Sequence, residues 1–400
     1  MATKKDIDKN IFNRELSWLA FNNSVLQEAA DQNVPLVERM RFLGIFSNNL
    51  DEFFRVRVAS VKRLIELNID NHKFTEGNPK TLLNNIQKTV IKLHQDFDNI
   101  FEDILKGFEK EGVYFINEKQ ITETQQKFID EFYLEKILPV LAPIMLNNIV
   151  TFPPLKDKSI YLAIKLSNGA DSEFALIELP MKSVTRFIEL PREGNKRYLI
   201  LLDDIIRIKL KDIFQKFTYS TFNAYTIKLT RDAELDIDND VTKSFLEKIS
   251  KGVKGRKRGQ PVRMVYDKNI PKDLLEHIKS RLKFDAEDTL LPGGRYHNFK
   301  DFMNFPSLGN RKFEYKKLPP LRHPAFNPGT SSIDYIFNKD IMLYYPYQNF
   351  SHFISLIREA AIDPDVSSIR ITLYRVARVS LVLNALINAC LNGKLVTVIA

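Results

Sequence analysis

Two side-chain amides and two acids, Asn48, Asn49, Asp51 and Glu52, directly follow the apolar run Met40-Arg41-Phe42-Leu43-Gly44-Ile45-Phe46. A side-chain amide donates and accepts at once, so it can read the edge of a base or a phosphate oxygen. Ser and Asn favour caps and turns over helix interiors, because they bond nearby backbone. Helix-favouring residues resume over 55–64, so the spacing predicts a break at Ser47-Asn48-Asn49 between two apolar helices. The plain alternative is a capped interhelical turn, with Asp51 and Glu52 at the positive end of the second helix.

Four further segments carry chemistry-bearing residues. In 291–302, a Pro292-Gly293-Gly294 turn precedes Arg295, Tyr296, His297, Phe299, Lys300 and Phe302. Cations among aromatics suit stacking on a base or holding phosphate, or else a hinge that packs its rings. Arg375 directly follows a strand that ends at Leu373-Tyr374, where a guanidinium can clamp phosphate bidentately. Arg378 stands one helical turn on. Residues 251–263 hold six cations, no acid and three glycines (Gly252, Gly255, Gly259). They read as a loop, either a solvated one or a docking site for a polyanion. Residues 230–238 hold four acids, a cation site or a surface turn.

Familiar signatures are missing. The sequence has no Gly-x-x-x-x-Gly-Lys-Ser/Thr loop and no Gly-x-Gly-x-x-Gly. His72, His94, His277, His297, His323 and His352 are scattered, with no pair at ligand spacing. Cys390 is the only cysteine, which excludes an intrachain disulfide and a multi-cysteine zinc site.

These residues need positioning elements, and 400 residues exceed one ordinary core. Apolar residues at 44% and charged residues at 27% describe a globular chain. The formal charge of +9 matters less than its clustering. No apolar run approaches the roughly 20 residues of a membrane span, and residues 1–6 begin no hydrophobic signal segment, so the expected compartment is cytoplasmic.

Helical periodicity marks 16–26, 58–65 and 81–110, which predicts a helical N-terminal domain over 1–111. Strands are expected at 113–116, 160–164, 174–177 and 198–201. Helices are expected at 203–211, 240–250 and 272–283, giving an α+β middle domain over 112–321. After Lys317-Leu318-Pro319-Pro320, strands at 340–345, 368–374 and 395–400 alternate with helices at 350–361 and 380–391. That is the start of a parallel α/β domain over 322–400, expected to continue in a longer protein.

Together these segments resemble the bacterial polyphosphate kinase family whose catalysis passes through a phosphohistidine. The resemblance is carried by Arg14-Glu15-Leu16-Ser17-Trp18-Leu19-Ala20-Phe21-Asn22, by 36–53, by Thr230-Arg231-Asp232-Ala233-Glu234 and by 292–302. Leu343-Tyr344-Tyr345-Pro346-Tyr347 and Tyr374-Arg375-Val376-Ala377 complete the ordered set. It implies phospholipase-D-like C-terminal domains and reversible transfer of the ATP terminal phosphoryl group to polyphosphate, with Mg²⁺.

The resemblance also implies that Asn49 contacts ATP and that Arg375 belongs to the phosphate and Mg²⁺ end of the site. A guanidinium has no lone pair for a cation, so Arg375 is expected as a phosphate clamp beside the metal. The phosphorylated histidine is expected beyond residue 400, and none of the six histidines here has the family's His-x-Lys spacing. A homo-oligomer is expected, with ATP, ADP and polyphosphate as partners and no nucleic acid required. The rival reading is a non-catalytic scaffold that binds a polyanion or RNA through 251–263 and 295–302.

Overall fold

The computed structural model describes residues 12–66, 78–147, 149, 152–153, 155–157, 159–169, 171–232, 261–282, 284, 289–296, 299–326, 329–345, 347–377 and 379–399. Residues 251–260 of the loop expected over 251–263, the helix expected at 240–250, Ala233 to Asp238, His72, His297 and Arg378 lie outside the described residues. One compact unit runs to Tyr315 and a second from Lys316.

The first unit opens with α1 (Arg14–Ala30), started by Asn13, whose side-chain oxygen accepts from the backbone N–H groups of Glu15 and Leu16. α2 (Leu36–Glu52) follows Pro35 and passes into a π turn (Phe53–Val58) and then α3 (Ala59–Glu66). The break expected at Ser47-Asn48-Asn49 does not form. α2 continues through all three residues, so Asn49 sits inside a helix, and the irregularity comes four residues later. α4 (Pro79–Lys110) is capped by Asn78 with Pro79 in its first turn, and Gly112 follows it at φ 76°.

These helices do not close a core among themselves. Leu43, Phe46, Val90 and Phe97 share one buried cluster with Phe187, Val265, Phe299, Phe302 and Phe305. At Gly44 a Cβ would lie 2.3 Å from the Met303 nitrogen, so α2 and the 3₁₀ turn Phe299–Asn304 pack backbone against backbone.

β1 (Val113–Ile116) and four further strands, β2 (Pro143–Met145), β3 (Ile160–Asn168), β4 (Asp171–Glu178) and β5 (Phe187–Glu193), follow. They are joined by β6 (Lys196–Leu201), β7 (Thr221–Arg231), β8 (Pro261–Asp267) and β9 (Thr289–Gly293). Two sheets result, one in the order β1-β6-β5 and one in the order β2-β4-β3-β7-β8-β9. The helix expected at 203–211 is split into Leu202–Ile208 and Leu210–Ile213. The end of the expected basic loop is strand instead: Val262 and Arg263 are buried in β8. Leu291-Pro292-Gly293 likewise ends the edge strand β9, where a proline is tolerated because no ladder N–H is required of it.

In the second unit, a helix (Ser351–Ile362) and another (Leu381–Leu391) pack Ile354, Ile357, Val382 and Leu386 together. β10 (Ser368–Thr372) and β11 (Leu395–Ile399) pair in parallel, with Ser368 opposite Leu395. Gly393, at φ 77°, turns the chain from helix to β11. The strand expected at 340–345 is not formed. Met342 and Tyr344 are exposed and meet no neighbouring strand among the described residues.

Candidate functional site

Asn49 is half-buried on the face of α2 that meets α1. Its amide nitrogen donates to the Asn22 side-chain oxygen at 3.1 Å, and the Asn22 amide donates in turn to the Phe46 carbonyl at 3.2 Å. Next along this seam Trp18 stacks on Phe53 (centroids 4.7 Å apart, planes at 10°), and Glu15 pairs with Arg57 at 3.4 Å. Asn49 therefore presents an oriented amide whose second N–H and carbonyl oxygen are uncommitted among the described residues.

Two residues on, Asp51 is buried and receives the Lys228 ammonium on both carboxylate oxygens, at 2.6 and 2.5 Å. The Arg263 guanidinium also donates to Asp51 and to the Thr230 hydroxyl, and lies 4.3 Å from the Phe54 ring centroid. Burial alone would push the Asp51 carboxyl up, but Lys228 and Arg263 hold it below its ordinary value. Burial, with Arg263 competing for the same carboxylate, brings Lys228 down to about 8. His94 lies against this cluster, and burial next to two cations brings it down to about 4, so it is a neutral imidazole. Asp51, His94, Lys228 and Arg263 line a cavity of about 40 Å³ that reaches Asp98 and Gly294. That is room for water-sized groups, not for a nucleotide. The cluster anchors the end of α2 rather than forming the pocket itself.

In the second unit, Arg375 follows β10 and is exposed, its guanidinium carbon 6.0 Å from the Tyr374 ring centroid. The strand end beneath it is fixed by the Leu373 N–H donating to the Ile399 carbonyl at 2.8 Å. Its neighbours Leu373, Tyr374, Val376 and Ala377 bring no carboxylate. Among the described residues, no group of three or more His, Cys, Asp or Glu could hold a metal ion. Arg375 and these four side chains offer no carboxylate to hold Mg²⁺.

Three family models match the chain in order: polyphosphate kinase N-terminal domain over 11–116, middle domain over 124–305 and C-terminal domain 1 over 331–400. The chain belongs to the polyphosphate kinase family. The polyphosphate kinase of Vibrio vulnificus (strain YJ016) is 45% identical over 398 residues, 98% of this chain and 56% of the relative. That of Escherichia coli (strain K12) is 42% identical over 400 residues, 98% of this chain and 58% of the relative. The solved polyphosphate kinase of Porphyromonas gingivalis superposes with a TM-score of 0.79 at 32% identity, covering 97% of this chain and 55% of that one. The chain thus spans somewhat more than half the length of the relatives it matches.

In this polyphosphate kinase family member the aromatic-basic segment has a structural use. Phe299 and Phe302 are buried in the core. Arg295 pairs with Glu118 and with Asp204 (2.9 Å), and the Tyr296 hydroxyl donates to Asp204 at 2.7 Å. Asp204 also holds Arg207 at 3.0 Å, while Asp203 and Asp301 hold the buried Arg186 at 3.0 and 3.5 Å. Of the acids in 230–238, Asp232 pairs with Arg63 at 3.1 Å. Sequence reasoning missed Lys228, Arg263 and His94. The one available signal was the alternation Thr226, Lys228, Thr230 along β7, which reads as a solvent face but is buried. Among the described residues no helix is long and apolar enough to cross a membrane.

Proposed function

We propose that this protein transfers the terminal phosphoryl group of ATP reversibly to inorganic polyphosphate, and that this chain supplies part of the nucleotide and phosphate site. The observation that supports it best is the Asn49 amide, oriented by Asn22 at 3.1 Å on a helix end that buried charges hold in place. The relatives are named polyphosphate kinase, which supports the reading, and a nucleotide contact at Asn49 is what the resemblance read from the sequence implies.

Asn49 binds the nucleotide, and Arg375 clamps phosphate oxygens bidentately. Phosphoryl transfer demands little covalent chemistry of the protein beyond its nucleophile, so positioning and charge stabilisation dominate. The nucleophile is a histidine beyond residue 400, and none of the histidines here takes that part. Mg²⁺ enters with the ATP phosphates. The working form is a cytoplasmic homo-oligomer.

The test is polyphosphate formation from ATP and Mg²⁺ by the protein expressed from its own coding region. Asn49→Ala should raise the ATP KM roughly tenfold, the value of one well-placed hydrogen bond. Residues 1–400 expressed alone should form no polyphosphate. A scaffold would give the opposite pattern, with nucleotide binding indifferent to Asn49→Ala. It would instead show weaker, less salt-dependent polyanion binding after Arg256, Lys257 and Arg258 are changed to Ser.

A further inference from the structure

We propose that Asn22 is a positioning residue for Asn49, fixing which end of the Asn49 amide faces the ligand. This rests on the nucleotide reading of Asn49.

The Phe46 carbonyl only accepts, so the group of Asn22 that meets it at 3.2 Å must be its NH₂. The Asn22 oxygen then points at Asn49, and Asn49 must answer with its own NH₂ at 3.1 Å. A chain of two bonds thus sets the flip of both amides. Asn49 is left with its carbonyl oxygen turned from α1, an acceptor for an N–H or O–H donor. ATP carries such donors on its nucleoside and not on its ionised phosphates.

The π turn supplies the phase. In a plain α-helix, Asn49 and Arg57 would stand about 80° apart around the axis, at roughly 100° per residue. An i→i+5 turn winds by only roughly 80° per residue, and four such residues bring Arg57 back under Asn49 and Phe53. The face Asn49-Phe53-Arg57 then meets Asn22, Trp18 and Glu15 of α1 rung by rung. Asn22 itself is fully buried. An apolar side chain would fill that place without an amide to satisfy, so packing alone does not account for its type.

The experiment compares ATP KM and kcat for Asn22→Leu, Asn49→Ala and the double variant, each expressed as the protein's full coding region. Asn22→Leu should raise the ATP KM roughly tenfold with kcat nearly unchanged, and the double variant should be no worse than Asn49→Ala alone. If Asn49→Ala leaves the ATP KM unchanged, the nucleotide reading itself fails. If Asn49→Ala raises it while folded Asn22→Leu does not, the positioning role is overturned.

Should Asn22→Leu fail to fold, Asn22→Ala and Asn22→Asp decide together. Protonated or ionised, the Asp carboxyl offers Asn49 an oxygen that accepts, so the Asn49 NH₂ stays turned toward α1, whereas Ala offers none. Asn22→Ala should raise the ATP KM roughly tenfold and Asn22→Asp should keep it within about twofold of the parent, and equal KM values in the two variants would overturn the proposal. A residue that only stabilised the fold would lower the melting temperature in both variants and leave both KM values at the parent's.

Discussion

The end of α2 and the end of β10 each carry a residue expected at the same reaction, and they are built in opposite ways. Around Asn49 the protein commits a buried amide, an aromatic stack and a buried carboxylate shared by two cations. Around Arg375 it commits a backbone strand end and one tyrosine ring 6.0 Å away. On the proposed reading, the difference teaches that recognising a neutral, directional group calls for a fixed amide, whereas a guanidinium that meets phosphate is oriented by its ligand. Preorganisation is concentrated where direction matters more than charge.

The largest effect should come from removing the anchor of the fixed region. Asp51→Ala leaves Lys228 and Arg263 buried without their carboxylate, a loss of about 3–5 kcal/mol that denaturant unfolding would measure. A change of less than half that would mean that α2 is held mainly by its apolar face.

His94 gives the next effect, with a sign. The unfolded imidazole takes a proton near 6.5 and the folded one only near 4, so the unfolded chain binds more protons between those values. Stability contributed by the neutral ring is therefore complete above about 6.5 and falls as pH drops toward 4, by about 3 kcal/mol in all. His94→Gln should flatten the stability profile over that window.

Gly44→Ala tests the backbone contact that braces the same helix. Its methyl would meet Met303 and Phe302 backbone at 2.3 and 2.7 Å, so a loss of about 1–3 kcal/mol is expected on thermal unfolding. The smallest effect belongs to the other region: Arg375→Ala should change stability by less than about 0.5 kcal/mol while polyphosphate formation falls. An equal loss of stability there would erase the contrast between the two regions.

The long helices were legible because their apolar residues recur with helical period, as Leu82, Ile86, Val90, Leu93 and Phe97 do in α4. The break at Ser47-Asn48-Asn49 was misread because local propensity is weak beside tertiary bonds. Asn49 gives its amide to Asn22, and Asp51 is fixed by Lys228 and Arg263 where α2 passes into the π turn. In β7, alternating Thr226, Lys228 and Thr230 mimic a wet face, and nothing local announces that other elements cover it. The run at 340–345 shows the reverse error, since its β-forming residues meet no neighbouring strand among the described residues and stay irregular. Within the site, Asn49 stood out by residue type, whereas its partner Asn22 lies 27 positions away and the Arg263 that holds nearby Asp51 lies 212 positions from that carboxylate.

The cluster of Asp51, Lys228 and Arg263 also bears on how the protein responds to warmth. Charged groups give up ordered water when they are buried, and that water is held less favourably as temperature rises. The opposition to burying this triad therefore weakens on heating, while the apolar packing around it gains little more. The end of α2 should loosen later in a thermal ramp than the exposed ion pairs and short helices elsewhere, leaving the Asn22–Asn49 seam among the last parts of the first unit to melt.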